Sequence, residues 1–154
     1  IAGSGEEEGA LKKLSRALGV SNHVEFRGKV SDEEKITLLQ KAWVFVNPSF
    51  MEGWGITTIE ANACGTPIVA SNVPGLRDSV QNPHTGKLVT HGDINAFATA
   101  ILSIIQDRKL RTEMGINAVE WAQNFNWESS TKKFSKIVRL DTLTGEAGDT
   151  AHTL

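Results

Sequence analysis

Trp43-Val44-Phe45-Val46-Asn47-Pro48-Ser49-Phe50-Met51-Glu52-Gly53-Trp54-Gly55-Ile56-Thr57-Thr58-Ile59-Glu60 is the stretch that decides the reading of this 154-residue sequence. Trp43 to Val46 is a continuous apolar run of strand length. With no polar residue alternating, it predicts a strand covered on both faces, as in a parallel sheet. Asn47-Pro48-Ser49 ends the strand. A loop over 50–55 follows, then a helix over 56–64 with Gly65 as its stop. A strand that feeds a loop and then a helix puts the loop at the carboxyl edge of a parallel sheet, where such sheets bind ligands.

The sequence on either side extends this pattern. Downstream, Pro67-Ile68-Val69-Ala70 and Lys87-Leu88-Val89 predict two short strands, separated by a helical turn opened by Pro74-Gly75 and by the turn residues 82–86. Asp93 predicts a cap for an amphipathic helix whose Ile94, Phe97, Ala98, Ile101, Leu102 and Ile105 share a face. Helices over 109–123 and 127–140 come next. Upstream, Gly3-Ser4-Gly5 is a turn, and a helix over 6–18 carries Leu11, Leu14 and Leu18 on one face. Val24-Glu25-Phe26-Arg27 alternates as a strand closed by Gly28. Ser31 and Glu34 form a capping box for a helix to about residue 42, with Ile36 and Leu39 facing inward. The fold class this predicts is α/β: a Rossmann-like three-layer domain with a parallel sheet. Its expected core has Val44, Phe45, Val46, Ile68 and Val69 in the sheet and Phe97, Ile101 and Leu102 against it.

Composition narrows the function. Hydrophobic residues at 40% and charged residues at 22% exclude collagen, coiled coil and wholesale disorder. A net charge of −2 gives no case for a nucleic-acid partner. No apolar run approaches the ~20 residues of a membrane span, which leaves only peripheral membrane contact. Cys64 is the single cysteine, so an internal disulfide and a cysteine-rich zinc site are excluded and a reducing, cytoplasmic location fits. His23, His84, His91 and His152 show no metal-ligand spacing and there is no Asp-x-Asp pair, so no metal site is expected. Residues 1–140 form the expected domain. Residues 141–154 hold Asp141, Glu146 and Asp149 without Lys or Arg and are expected to be a flexible acidic tail. Ile1-Ala2-Gly3 resembles the end of a strand entering a turn, as in a piece of a longer protein.

The strand-to-helix junction holds the chemistry. Gly53 and Gly55 allow a ligand to approach the backbone. The amides of Gly55, Ile56 and Thr57 are free donors at a helix start, suited to phosphate. Glu52 and Glu60 flank them, and carboxylates accept from sugar hydroxyls. A hydroxyl reader, an amide patch and a second hydroxyl reader match a nucleotide diphosphate sugar. By spacing alone, though, Glu52 and Glu60 equally fit a solvated loop residue and an exposed helix residue.

The ordered series around this junction resembles the retaining GT-B glycosyltransferases of the group-1 or family-4 type. Glu52 to Glu60 matches their E-x7-E motif, and Ala61 to Ser71 the segment that follows it. Asn72 to Asp78, Thr85 to Val89, Phe125 to Glu128 and Val24 to Val30 match further parts of the pattern. The resemblance covers about residues 1–140 and implies the C-terminal, donor-binding half of a GT-B fold. It implies that Glu52 orients the donor sugar and Glu60 contacts the ribose. Gly53, Trp54, Gly55, Ile56 and Thr57 would face the sugar and diphosphate. Gly28, Lys29, Val30 and Lys35 would lie beside the base. It implies no cofactor beyond the donor itself, and an acceptor held mainly by an N-terminal domain outside this chain. The family's diphosphate-binding Arg and Lys would also fall before Ile1, so the fragment alone is expected to be inactive. The rival readings are a sugar-nucleotide epimerase of similar fold and a non-catalytic nucleotide-binding module.

Overall fold

The computed structural model describes residues 1–138. Its elements are α1 (Glu8–Ala17), a 3-10 turn (Ser21–His23), α2 (Asp32–Lys41), β1 (Phe45–Asn47), α3 (Ile56–Ala63), β2 (Ile68–Ser71), α4 (Leu76–Ser79), β3 (Gly86–Val89), α5 (Ile94–Gln106), α6 (Arg108–Ala122) and α7 (Trp127–Val138). The tail expected at 141–154, and the end of the last expected helix, lie outside the described residues.

The strands form one parallel sheet in the order β1-β2-β3. Phe45 pairs with Ile68, and Ile68 with Gly86. Each crossover carries a helix, α3 and then α4, as parallel neighbours require. All four residues of β2 are buried. Alternate side chains of a strand point to opposite faces, so β2 feeds two cores. Ile68 and Ala70 pack with Leu39, Ala61, Leu76 and Val80. Val69 packs with Val89, Ala100, Ile104 and Met114. Helices thus cover both sheet faces, the three layers expected.

Capping sets the helix starts. The Ser31 hydroxyl accepts from the Glu34 amide at 3.2 Å, and the Asp93 and Asp107 carboxylates accept from Ala96 and Leu110 amides at 2.9 Å each. The other half of the expected capping box does not form: the Glu34 carboxylate accepts from Arg27 Nη1 at 3.2 Å instead. Three further expectations are corrected. Val24–Arg27 is not a strand: among the described residues its backbone exchanges hydrogen bonds with Ile1, and the one bridge beside it, Ala2↔Gly28, falls just past its end. The apolar run at 43–46 is not covered throughout: among the described residues β1 pairs on one side only, and Trp43 and Val46 are exposed. Ile36 and Leu102 also face solvent, while Leu39, Phe97 and Ile101 turn inward.

Candidate functional site

Glu52 to Glu60 spans the loop after β1 and most of α3, at the carboxyl edge of the sheet. Gly55 is the N-cap of α3, with φ +77° and ψ +54°, and no side chain caps the helix. Among the described residues, no backbone or side-chain acceptor meets the amides of Gly55, Ile56 and Thr57. Ile56 and Thr57 are exposed, so their donors stand open to solvent. The Thr58 amide is already taken, by the Gly55 carbonyl at 2.9 Å.

The two glycines of the loop play unequal parts. A Cβ on Gly53 would meet nothing within 4 Å. A Cβ on Gly55 would lie 2.8 Å from Leu76 Cδ2 and 3.0 Å from Ser79 Oγ. The need for glycine at 55 is therefore internal: a left-handed backbone pressed against α4. Gly75 makes a third close approach. With φ +82° and ψ −52°, its Cβ would strike the Glu52 carbonyl oxygen and sit 2.8 Å from that of Gly53. The backbone of the loop rests directly on Gly75.

Side chains brace the same segment. The Thr58 hydroxyl lies 2.5 Å from the Gly55 carbonyl and 2.7 Å from the Ser79 hydroxyl. The Ser79 carbonyl accepts from Trp121 Nε1 at 3.0 Å and from Asn62 Nδ2 at 3.4 Å. Trp54 is half-buried and meets the ring of Phe125 edge-on, with centroids 4.7 Å apart, and Phe125 meets Trp121 in the same way at 4.8 Å. His91 approaches Phe50 with ring centroids 6.1 Å apart. Sequence reasoning missed Gly75, Ser79, Trp121 and Phe125 as supports of the loop. They lie 20 to 70 residues away, and only the fold brings them to it.

Glu60 and Lys35 meet. Lys35 Nζ donates to Glu60 Oε1 at 2.8 Å and lies 3.1 Å from Asp32 Oδ1. The hydrogen bond to Glu60, then that to Asp32, holds the ammonium pKa above its ordinary value. Lys35 was expected beside Gly28, Lys29 and Val30. It is near them, lining the same cavity as Lys29 and Val30, but its charge is directed at Glu60. Gly28 turns the chain with φ +62°. Cys64 closes α3; burial, with a smaller push from Glu60, raises its thiol pKa. Among the described residues no group of three His, Cys, Asp or Glu side chains could hold a metal ion. No helix there is long and apolar enough to cross a membrane.

Known proteins resemble this chain in sequence and in fold. The family model for glycosyl transferases group 1 matches residues 1–121. The D-inositol 3-phosphate glycosyltransferase of Corynebacterium diphtheriae is 37% identical over 125 residues, covering 81% of this chain and 29% of that protein. Sucrose-phosphate synthase from Thermosynechococcus elongatus superposes with a TM-score of 0.81 at 34% identity, over 92% of this chain and 36% of its own. Anabaena Alr3699/HepE, crystallised in complex with UDP-glucose, superposes with a TM-score of 0.80 at 25% identity, over 90% of this chain and 40% of its own. The present chain thus spans less than a third of the length of the inositol-phosphate enzyme it matches. With most of its residues inside the family match and its sheet inside the superposed fold, the chain belongs to the group 1 glycosyl transferases, as the C-terminal domain of the GT-B fold.

Proposed function

We propose that this chain is the donor-binding domain of a retaining glycosyltransferase that moves a hexose from a nucleotide diphosphate sugar to an acceptor. The observation that carries the reading is the uncapped start of α3, where the amides of Gly55, Ile56 and Thr57 have no acceptor among the described residues and Ile56 and Thr57 are exposed. A diphosphate is the ligand that three such donors suit, and the positive end of the α3 dipole favours it. Glu52 on the loop side would accept from hydroxyls of the donor sugar and orient it. Glu60 on the helix side would accept from the ribose. Lys35 pairs with the Glu60 carboxylate and lines one cavity with Lys29 and Val30; the base would lie beside Gly28, Lys29 and Val30.

Charge builds on the departing nucleoside diphosphate as the glycosidic bond to phosphate breaks. Fixed donors aimed at that charge stabilise the transition state without having to reorganise. The amides of α3 would provide part of this, and Gly75, Thr58 and Ser79 hold them in place. Glu52 has the task of holding hydroxyls and is not assigned as a nucleophile. UDP or UDP-glucose in the Anabaena structures supports a nucleotide sugar as the donor class here. The acceptor would sit mainly on an N-terminal domain outside this chain, so the isolated chain would bind donor without transferring sugar. The domain boundary is proposed at about residue 140, and a cytoplasmic location is proposed with it.

Calorimetry on the full-length polypeptide tests the two carboxylates. Glu60→Ala should weaken nucleoside diphosphate and nucleotide sugar alike, by about 1.5–3 kcal/mol for a lost charged hydrogen bond. Glu52→Ala should spare the nucleoside diphosphate and weaken only the nucleotide sugar. Equal losses for both ligands in both variants would reject these roles.

A further inference from the structure

An open cavity of about 340 Å³ is lined by Gln81, His84, Asn117, Glu120, Trp121 and Asn124. None of these side chains is proposed to touch the donor. Asn117, Glu120, Trp121 and Asn124 fall three and four apart, so they share one face of α6 and the turn after it. The facing wall is the turn before β3. Thr85 N donates to the Gln81 carbonyl at 2.8 Å and Gln81 N to the Thr85 hydroxyl at 3.0 Å, and Thr85 is fully buried. Asn117 Nδ2 donates to the His84 carbonyl at 3.3 Å and ties the two walls together. The cavity is therefore built before a ligand arrives, which lowers the entropy lost on binding.

The polar atoms left over along α6 are acceptors. Asn117 spends its amide nitrogen on the His84 carbonyl, and Asn124 spends its own on the Trp121 carbonyl at 3.0 Å. A carbonyl oxygen only accepts, so neither side-chain amide can be turned over, and each Oδ1 stays on the side away from the backbone. Among the described residues nothing donates to either Oδ1 or to the Glu120 carboxylate. Trp121 Nε1 is committed to the Ser79 carbonyl at 3.0 Å, so its indole offers the cavity an apolar surface. Among the described residues no Lys or Arg lines the cavity.

We propose that this cavity is a second sugar site, which binds one uncharged hexose unit. Sugar hydroxyls donate to the row of Asn117 Oδ1, the Glu120 carboxylate and Asn124 Oδ1. The C–H face of the ring packs on the indole of Trp121, and the Gln81 amide across the cavity donates to a hydroxyl oxygen. A phosphate does not suit the site, because Glu120 repels it and no cation on the lining meets it. Ligand cavities run from about 300 to 1,000 Å³, so this one, at the small end, takes a single ring rather than a nucleotide sugar. The inference goes beyond the donor reading and does not depend on it, since the two sites share no proposed ligand contact.

Heteronuclear NMR on the full-length polypeptide tests it, with D-glucose, D-galactose and D-mannose as probes. A ligand this small on an open site binds with a Kd of millimolar order. At least one hexose should shift the side-chain amide signals of Asn117 and Asn124 and the indole signal of Trp121, saturably. Glu120→Leu should weaken that hexose at least about tenfold, as a lost charged hydrogen bond predicts. Asn124→Ala should weaken it too, and both positions are exposed, with melting curves to show that each variant folds. Signals that stay still with every hexose would overturn the proposal, including the case where the hexose binds only elsewhere. So would native affinity in both folded variants. Glucose 6-phosphate or choline moving these signals more strongly than any hexose would assign an anion or a cation to the cavity, and would overturn it as well.

Discussion

Gly75→Ala probes whether the loop is held from beneath. The native backbone at this position has φ +82° and ψ −52°, a region L residues rarely enter. Strain of this kind costs about 1–3 kcal/mol. The new Cβ would also lie 2.8 Å from the Gly53 carbonyl oxygen and closer still to that of Glu52, against an ordinary contact of 3.4 Å or more. Because the obstacle is backbone, the loop must retreat by about 0.6 Å at Gly53 and by about 1 Å at Glu52. Moving Glu52 off a donor hydroxyl loses a charged hydrogen bond, about 1.5–3 kcal/mol, so the shift should cost at least about tenfold in donor affinity. Gly92→Ala is the control. Its φ is +81°, yet its Cβ would meet nothing within 4 Å, so it carries strain without collision. Calorimetry with a nucleotide sugar and thermal melting separate the two effects. Both variants should lose stability, and only Gly75→Ala should lose affinity. Equal donor affinity in the two variants would refute the idea that Gly75 sets the position of Glu52 and Gly53.

Phe125→Ala removes two edge-on ring contacts, each worth about 0.5–1.5 kcal/mol beyond the area buried, so urea denaturation should record a loss of about 1–3 kcal/mol. A change no larger than an ordinary surface substitution, about 0.5 kcal/mol, would show that the stack carries no load. The Cys64 thiol is raised above its ordinary 9.0 by burial and by Glu60; alkylation by iodoacetamide should follow a pH midpoint above that value, and a midpoint below it would contradict the environment described. Lys35 is raised above its ordinary 10.5. Its contribution to stability should be fully present below pH 10.5 and fade as pH climbs through the raised value. The difference in melting temperature between the native chain and Lys35→Met should shrink in that alkaline range; a difference that grows there would reverse the sign of the coupling.

Local rules reached the features that local chemistry controls. Ser31 and Asp93 cap their helices because a short polar side chain can turn back on its own amides, whatever the rest of the chain does. The continuous apolar run of β2 is buried on both faces because β2 is the central strand and helices pack on each face of it. The same argument overreached at Trp43–Val46, where hydrophobicity alone does not reveal an edge. The stretch from Glu52 to Glu60 was legible as a loop running into a helix start, because Gly53, Gly55 and the apolar run before them mark that junction. What lies under it was not legible. Pro74-Gly75 reads as a turn, and no local rule says that Gly75 touches the Glu52 carbonyl. Trp121 and Phe125 read as packing residues, and only their arrival beside Ser79 and Trp54 gives that packing a purpose. Val24–Arg27 alternates as a strand should, but pairing needs a partner of matching length and Ile1–Gly3 provides a single bridge.

The stack of Trp54 on Phe125 bears on how such enzymes are recombined. The match to the family ends at residue 121, which makes that position a natural place to cut or join. Phe125 lies four residues further on, and it is the ring that Trp54 rests against. A chimera joined at residue 121 would inherit the glycine loop from one parent and the ring beneath its tryptophan from another. Exchanges meant to swap donor preference should therefore carry the end of α6 and the turn after it together with the loop, as one inherited block.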